Sequence, residues 1–158
     1  LAFGTGTHPT TALCLEWLDG VDLRGKRVID YGCGSGILGI AGVMLGAKQA
    51  YCVDNDPQAL IATENNAKQN ALRSGQIITV QPEAIPDIEA DIMVANILAR
   101  PLKYLAERLS HLTKKQGKIC LSGILDTQAK DVAECYAPFF KLDPITYQNE
   151  WTRISGNK

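Results

Sequence analysis

Residues Val28-Ile29-Asp30-Tyr31-Gly32-Cys33-Gly34-Ser35-Gly36 set an apolar run ending in a carboxylate directly before three alternating glycines, and Ile37-Leu38-Gly39-Ile40-Ala41 begin a helix behind them. Few structures satisfy that order. A buried strand must stop where the glycines begin, because positive φ and close approach of a ligand are open to a residue without a Cβ. A helix must then leave the turn with its free amides facing whatever lies over the glycines. The predicted unit is strand, glycine turn and helix.

The rest of the chain repeats this unit. Arg27–Tyr31, Gln49–Val53, Ile77–Gln81, Asp91–Ala95 and Lys118–Leu121 read as short strands, several of them continuously apolar as strands buried on both faces are. Helical periodicity covers Thr10–Leu18, Ile37–Leu45, Pro57–Asn70, Pro101–Leu112 and Thr127–Tyr136. Asp56 is expected as the N-cap of the third helix, with Pro57 its first residue. This alternation predicts an α/β fold with a doubly wound, mainly parallel sheet and right-handed crossovers. Ile145–Tyr147 and Trp151–Ile154 flank Gln148-Asn149-Glu150 and predict a C-terminal antiparallel hairpin, an ending that disfavours a plain dinucleotide fold. Lys114-Lys115-Gln116-Gly117 reads as an ordinary turn with solvated lysines.

A chain of 158 residues with 46% hydrophobic content and a formal charge of −1 supplies one well-packed domain and is too balanced for a dedicated nucleic-acid binder. No apolar run approaches a membrane span and no leader-like segment opens the sequence, so the cytoplasm is the expected compartment. Five cysteines, at 14, 33, 52, 120 and 135, form an odd set without C-x-x-C spacing, which supports neither a disulfide framework nor a zinc site. They are expected as small core residues. Because Leu1 leads directly into Ala2-Phe3-Gly4-Thr5-Gly6-Thr7-His8-Pro9, residues 1–158 are expected to be one catalytic domain, with an upstream substrate-recognition segment lying outside them.

Gly34, Gly36 and Gly39 form a nominal G-x-G-x-x-G, which suggests a dinucleotide. The pattern starts late relative to the strand end, however, and an ionised Asp30 beside it would repel a phosphate. S-adenosylmethionine carries a sulfonium, an ammonium and a carboxylate but no phosphate, and matches amides beside a carboxylate. The expected cofactor contacts at the loop are Asp30, Gly32 and Gly34. The second strand ends at Asp54, where a carboxylate can accept two hydrogen bonds from a ribose diol. Phe3-Gly4-Thr5-Gly6-Thr7 is expected to fold over the cofactor, with Phe3 and Thr5 among its contacts. Thr10 and Thr11 either cap the first helix or serve the cofactor carboxylate, and Glu83 either meets the adenine amino group or is solvated.

Asn96 closes the fourth strand at the sheet edge where ligands of open α/β folds bind. Its amide carbonyl can receive a hydrogen from a methyl acceptor nitrogen and so orient the lone pair; capping the next helix is the other reading. Asn96-Ile97-Leu98-Ala99 lacks the Asn-Pro-Pro-aromatic arrangement, and no aromatic follows to stack a planar substrate, which points to an aliphatic amine. Such an amine must first lose a proton, from a pKa near about 10.4 for lysine or about 7.7 to 8 for an α-amine. A neighbouring sulfonium and apolar walls lower that value, so solvent can take the proton. His8 is read either as a loop contact or as a base.

Ala2 to Thr11, Val28 to Gly36, Val94 to Ala99 with Pro101-Leu102, Leu121 to Leu125, and Glu150-Trp151 together resemble bacterial ribosomal protein methyltransferases that modify the eleventh protein of the large subunit. The resemblance spans nearly the whole chain. It implies a Rossmann-like S-adenosylmethionine-dependent methyltransferase fold with cofactor contacts at Thr11, Gly32, Asp54 and Asn96. It also implies trimethylation of lysine side chains and an amino-terminal α-amine of a large-subunit ribosomal protein, gripped by a separate upstream domain. Two other functions fit the residues alone: a nicotinamide oxidoreductase, separable by cofactor absorbance, and a non-catalytic adenosyl-ligand-binding module, separable by binding without turnover.

Overall fold

A strand order that reverses in mid-sheet fixes where this molecule can bind a ligand. The computed structural model describes residues 8–158; the expectations for Phe3 and Thr5 lie outside them. In chain order the elements are α1 (Pro9–Asp19), β1 (Arg27–Tyr31), α2 (Ile37–Met44), β2 (Gln49–Val53), α3 (Pro57–Gln69), β3 (Ile77–Val80), a short 3₁₀ turn (Pro82–Ala84), β4 (Ala90–Asn96), α4 (Ala99–Tyr104), α5 (Ala106–Leu112), β5 (Thr113–Leu125), α6 (Ala129–Tyr136), β6 (Lys141–Leu142), β7 (Thr146–Gln148) and β8 (Trp151–Asn157). The sheet runs β3-β2-β1-β4-β5-β8-β6, with β7 also on β8. Pairings from β3 to β5 are parallel; those made by β8 are antiparallel. The order turns back between β1 and β4, so the carboxyl ends of these strands open a crevice at Tyr31 and Asn96.

Alternation along the strands builds two cores from the same residues. Ile29, Met93, Ile119 and Leu121 point to one face, where Leu102, Leu109, Val132 and Tyr136 cover them. Their neighbours Val28, Val94 and Cys120 point to the other, beneath Leu18, Leu38 and Val43. Tyr136 is fully buried, and its hydroxyl donates to the Leu102 carbonyl at 2.7 Å, tying α6 to α4. Burial pushes its phenol well above the usual range. Four cysteines are buried and Cys135 is half-buried, all as free thiols, in the core role expected of them. Among the described residues no helix is long and apolar enough to cross a membrane.

Element positions follow the sequence reading, with instructive departures. The helix expected over Pro101–Leu112 begins two residues earlier and divides at Leu105, whose amide is shared between the Pro101 and Leu102 carbonyls. Pro101 is accommodated because a first-turn residue has no intrahelical amide bond to lose. The expected turn at Lys114–Gly117 lies within β5, where pairing to β4 skips from Thr113 opposite Ala90 to Lys118 opposite Ile92; Gln116 sits in this irregularity at φ 70°. A second irregularity falls between Leu121 and Ile124, with Gly123 at φ 89°. The C-terminal hairpin is present, closing from Gln148 to Trp151 with Asn149 at φ 56°. Its second strand runs on to Asn157, because β8 fills the space between β5 and β6.

Candidate active site

The glycine turn is held from below by two carboxylates with different jobs. Helix α2 is capped by Gly36 at φ 82°, which has no side chain to offer. Asp30 supplies the missing cap from the end of β1: its Oδ2 accepts from the Gly39 amide at 2.9 Å. The side chain is only 2% exposed. Burial pushes its carboxyl up to about 7; the Gly39 amide opposes this and the charge of Asp54 adds to it. Asp30 is thus engaged by the first turn of α2 at the base of the glycine loop. Asp54, half-buried at the end of β2, does meet the loop: Oδ2 accepts from the Gly34 amide at 2.9 Å, and Oδ1 from the Asp56 amide at 3.0 Å. Asp56 caps α3 through the Gln58 amide, with Pro57 first in the helix.

Each loop glycine answers a different demand. At Gly34 φ is 54° and a Cβ would meet nothing within 4 Å, so the surface above it is open. At Gly32 a Cβ would lie 2.5 Å from Ile97 Cγ2; the close approach there is to the chain after β4. The loop is also braced by α3, a role that the sequence reading missed: Thr63 Oγ1 donates to the Gly34 carbonyl at 3.0 Å, and Asn66 Nδ2 to that of Ser35 at 2.9 Å. Both face the loop from one side of a helix, a spacing of three that could have signalled them.

At the other wall of the crevice, Asn96 is the last residue of β4 and donates from Nδ2 to Thr11 Oγ1 at 3.3 Å. It does not cap α4, whose N-cap is Leu98 without a side-chain bond. Neither Thr10 nor Thr11 caps α1. His8 does so, its Nδ1 accepting from the Thr10 amide at 3.3 Å and lying 2.7 Å from the Thr10 hydroxyl. The ring also meets Trp151 edge-on, with centroids 5.4 Å apart. Its bonding is that of a structural contact. Ser122 Oγ donates to the Thr10 carbonyl at 2.9 Å and fixes the start of α1 on β5. Glu83 is exposed in the turn after β3.

Above Asn96 opens a cavity of about 560 Å³ walled by His8, Ile97, Leu98, Pro101, Gly123 and Trp151. Gly123 is required here: a Cβ would fall 2.3 Å from the Ile97 carbonyl oxygen and 3.2 Å from Asn96 Oδ1. Trp151 comes from β8 and is an aromatic neighbour of Asn96 that reading onward from Asn96 does not reveal. The site therefore joins Asp54 and Gly34 on one side of β1 to Asn96 and Thr11 on the other, with Gly32 against Ile97 between them. Such a crevice can hold a nucleoside by its ribose and present its far end to a small apolar chamber.

The family model described as ribosomal protein L11 methyltransferase (PrmA) matches residues 1–158. A ribosomal protein L11 methyltransferase of Actinobacillus pleuropneumoniae serotype 5b (strain L20) is 58% identical over 158 residues, which are all of this chain and 54% of that protein. The one from Histophilus somni (strain 2336) is 58% identical over 156 residues, 99% of this chain and 53% of that protein. The chain spans about half the length of the curated relatives it matches. Among solved structures, a ribosomal protein L11 methylase from Lactobacillus delbrueckii subsp. bulgaricus superposes with a TM-score of 0.88 at 30% identity, covering 97% of this chain and 81% of that one. The T. thermophilus 16S rRNA N2 G1207 methyltransferase, solved with AdoMet and guanosine, shares the fold with a TM-score of 0.79 at 19% identity, covering 99% of this chain and 45% of that one.

Proposed function

The chain belongs to the ribosomal protein L11 methyltransferase family, and from that premise we propose that residues 1–158 form the catalytic domain of a cytoplasmic S-adenosylmethionine-dependent protein N-methyltransferase. Its acceptors in this reading are lysine side-chain and α-amino groups of a large-subunit ribosomal protein. The observation that carries the proposal is the pairing of Asp54 with Gly34 and of Asn96 with Thr11 across the sheet's reversal point.

The residues present suit the cofactor. Asp54 would accept from the ribose diol, and the open surface over Gly34 leaves room for the ligand without a Cβ in the way. Gly32 and Thr11 would line the path toward Asn96, while Phe3 and Thr5 would complete the cofactor contacts. Asp30 would act from beneath, holding α2 and the loop in place. The Gly34 amide, which a dinucleotide would need for its pyrophosphate, is already bonded to a carboxylate. When bound, the cofactor supplies an electrophilic methyl group on a positive sulfur.

The chain's own residues then have three tasks. Asn96 Oδ1 accepts a hydrogen from the incoming amine and aims its lone pair. Ile97, Leu98, Pro101 and Trp151 exclude water around that amine, which favours its neutral form. The proton leaves to solvent, since His8 is tied to its own helix. The test is incubation of the full-length protein with isotope-labelled S-adenosylmethionine and the ribosomal protein, read by mass spectrometry. Label on amino groups is expected; cofactor binding with no transferred label would instead support an adenosyl-binding module.

A further inference from the structure

The first turn of α4 is a ridge between two depressions. Leu98 and Pro101 wall the cavity above Asn96, while Ala99 and Arg100 face a neighbouring groove of about 590 Å³ between α4 and α6, completed by Lys103, Tyr104, Gln128, Asp131 and Cys135. Leu98 and Tyr104, at 70% and 78% exposure, are the two most exposed large hydrophobic side chains among the described residues. Leu102, Ala106 and Leu109 already bury the inner face of this helical segment, so Leu98 and Tyr104 serve no core. Arg100 and Lys103 are exposed on that outer face and form no ion pair among the described residues.

We infer that this groove receives the polypeptide flanking the acceptor amine and favours a carboxylate about three residues from it; the inference rests on the function proposed above. A lysine stem is short, so the backbone that brings its amine to Asn96 must lie on the cavity rim. An extended chain advances about 3.3 Å per residue and a helix with its side chains is about 10 Å across, so some three residues carry the chain over the ridge. The side chain that drops into the groove there meets two cations against the single carboxylate of Asp131. Tyr104 and Leu98 offer apolar surface to the backbone and stems on either side. An RNA strand would also seek cations, but the carboxylate of Asp131 would repel its phosphates, and Ala99 and Cys135 give the groove an apolar wall suited to a peptide.

The experiment uses the full-length protein with R100E/K103E and Tyr104→Ala variants, and peptides bearing one lysine with a single glutamate walked along the flanking positions. The double variant is expected to raise the KM for the ribosomal protein about tenfold, with S-adenosylmethionine affinity within about twofold of wild type. Tyr104→Ala is expected to raise KM without altering the response to glutamate position. Among peptides, KM should be lowest with glutamate about three residues from the lysine, and replacing that glutamate by lysine should restore binding to R100E/K103E. A double variant with unchanged KM, no dependence on glutamate position, or displacement of the peptide by single-stranded RNA would overturn the inference while leaving the methyltransferase reading intact. A wild-type protein that binds cofactor but methylates no amine would overturn both.

Discussion

At the scale of single residues, the chemistry divides between groups that face the crevice and groups that hold it. Asp54 faces it, and Asp54→Ala should weaken S-adenosylmethionine binding by about 1.5 to 3 kcal/mol, roughly ten- to hundredfold in Kd by calorimetry, since hydrogen bonds to a charged acceptor are lost. An unchanged affinity would place the ribose elsewhere. Asp30 holds the loop, and its titration makes the distinction measurable. With its carboxyl raised from 3.8 to about 7 in the folded protein, folding binds a proton. The contribution is therefore complete below about pH 4 and declines by up to about 1.4 kcal/mol per unit as pH rises toward 7. Asp30→Asn keeps an acceptor for the Gly39 amide without that titration. The stability of wild type relative to this variant should fall between pH 4 and 7 and level off above, as followed by denaturant unfolding; parallel curves would show that Asp30 stays ionised throughout. Asp54 and Asn96 were legible in sequence because each ends an apolar strand. The direction of Asp30 was not, because a strand pattern gives a face and not a partner; the clue lay in Gly36, a helix cap with no side chain.

Elements show where the pattern of a chain stops carrying information. Strands β1 and β2 and the helices after them were readable because apolar runs, glycines and Pro57 mark both ends. The long β5 was not: Lys114, Lys115 and Gln116 are polar and exposed, and the strand continues past them only because Thr113 and Lys118 on either side pair with β4, while the Gln116 amide bonds the Lys158 carbonyl. That pairing is a tertiary decision. Trp151 was missed as a wall of the site for the same reason, since only the antiparallel insertion of β8 beside β5 brings it near Asn96. The hairpin that presents Trp151 turns at Asn149, whose φ of 56° suits asparagine or glycine and strains other residues. Asn149→Ala should therefore destabilise the protein by about 1 kcal/mol, whereas Asn149→Gly should be nearly neutral. Equal losses in chemical denaturation would mean that the asparagine side chain, and not its backbone, holds the turn.

For the molecule as a whole, the proposed function rests on the sheet's reversal between β1 and β4, which gathers residues from four distant segments at one edge. Gly32–Gly34, Asp54 and Asn96 are far apart in sequence and meet because parallel strands all end on the same side, while α1, fixed on β5 through Ser122, brings Thr11 to Asn96. The curated relatives run to about twice this length; in the proposed reading residues 1–158 hold the chemistry, and the groove beside α4 would let them read the acceptor as well. The most direct measurement is a crystal structure of the protein with S-adenosylhomocysteine. The ribose is expected on Asp54, the loop glycines beneath the ligand and the sulfur directed toward the cavity over Asn96. A nucleoside lodged outside this crevice, or a sulfur pointing away from Asn96, would contradict this placement.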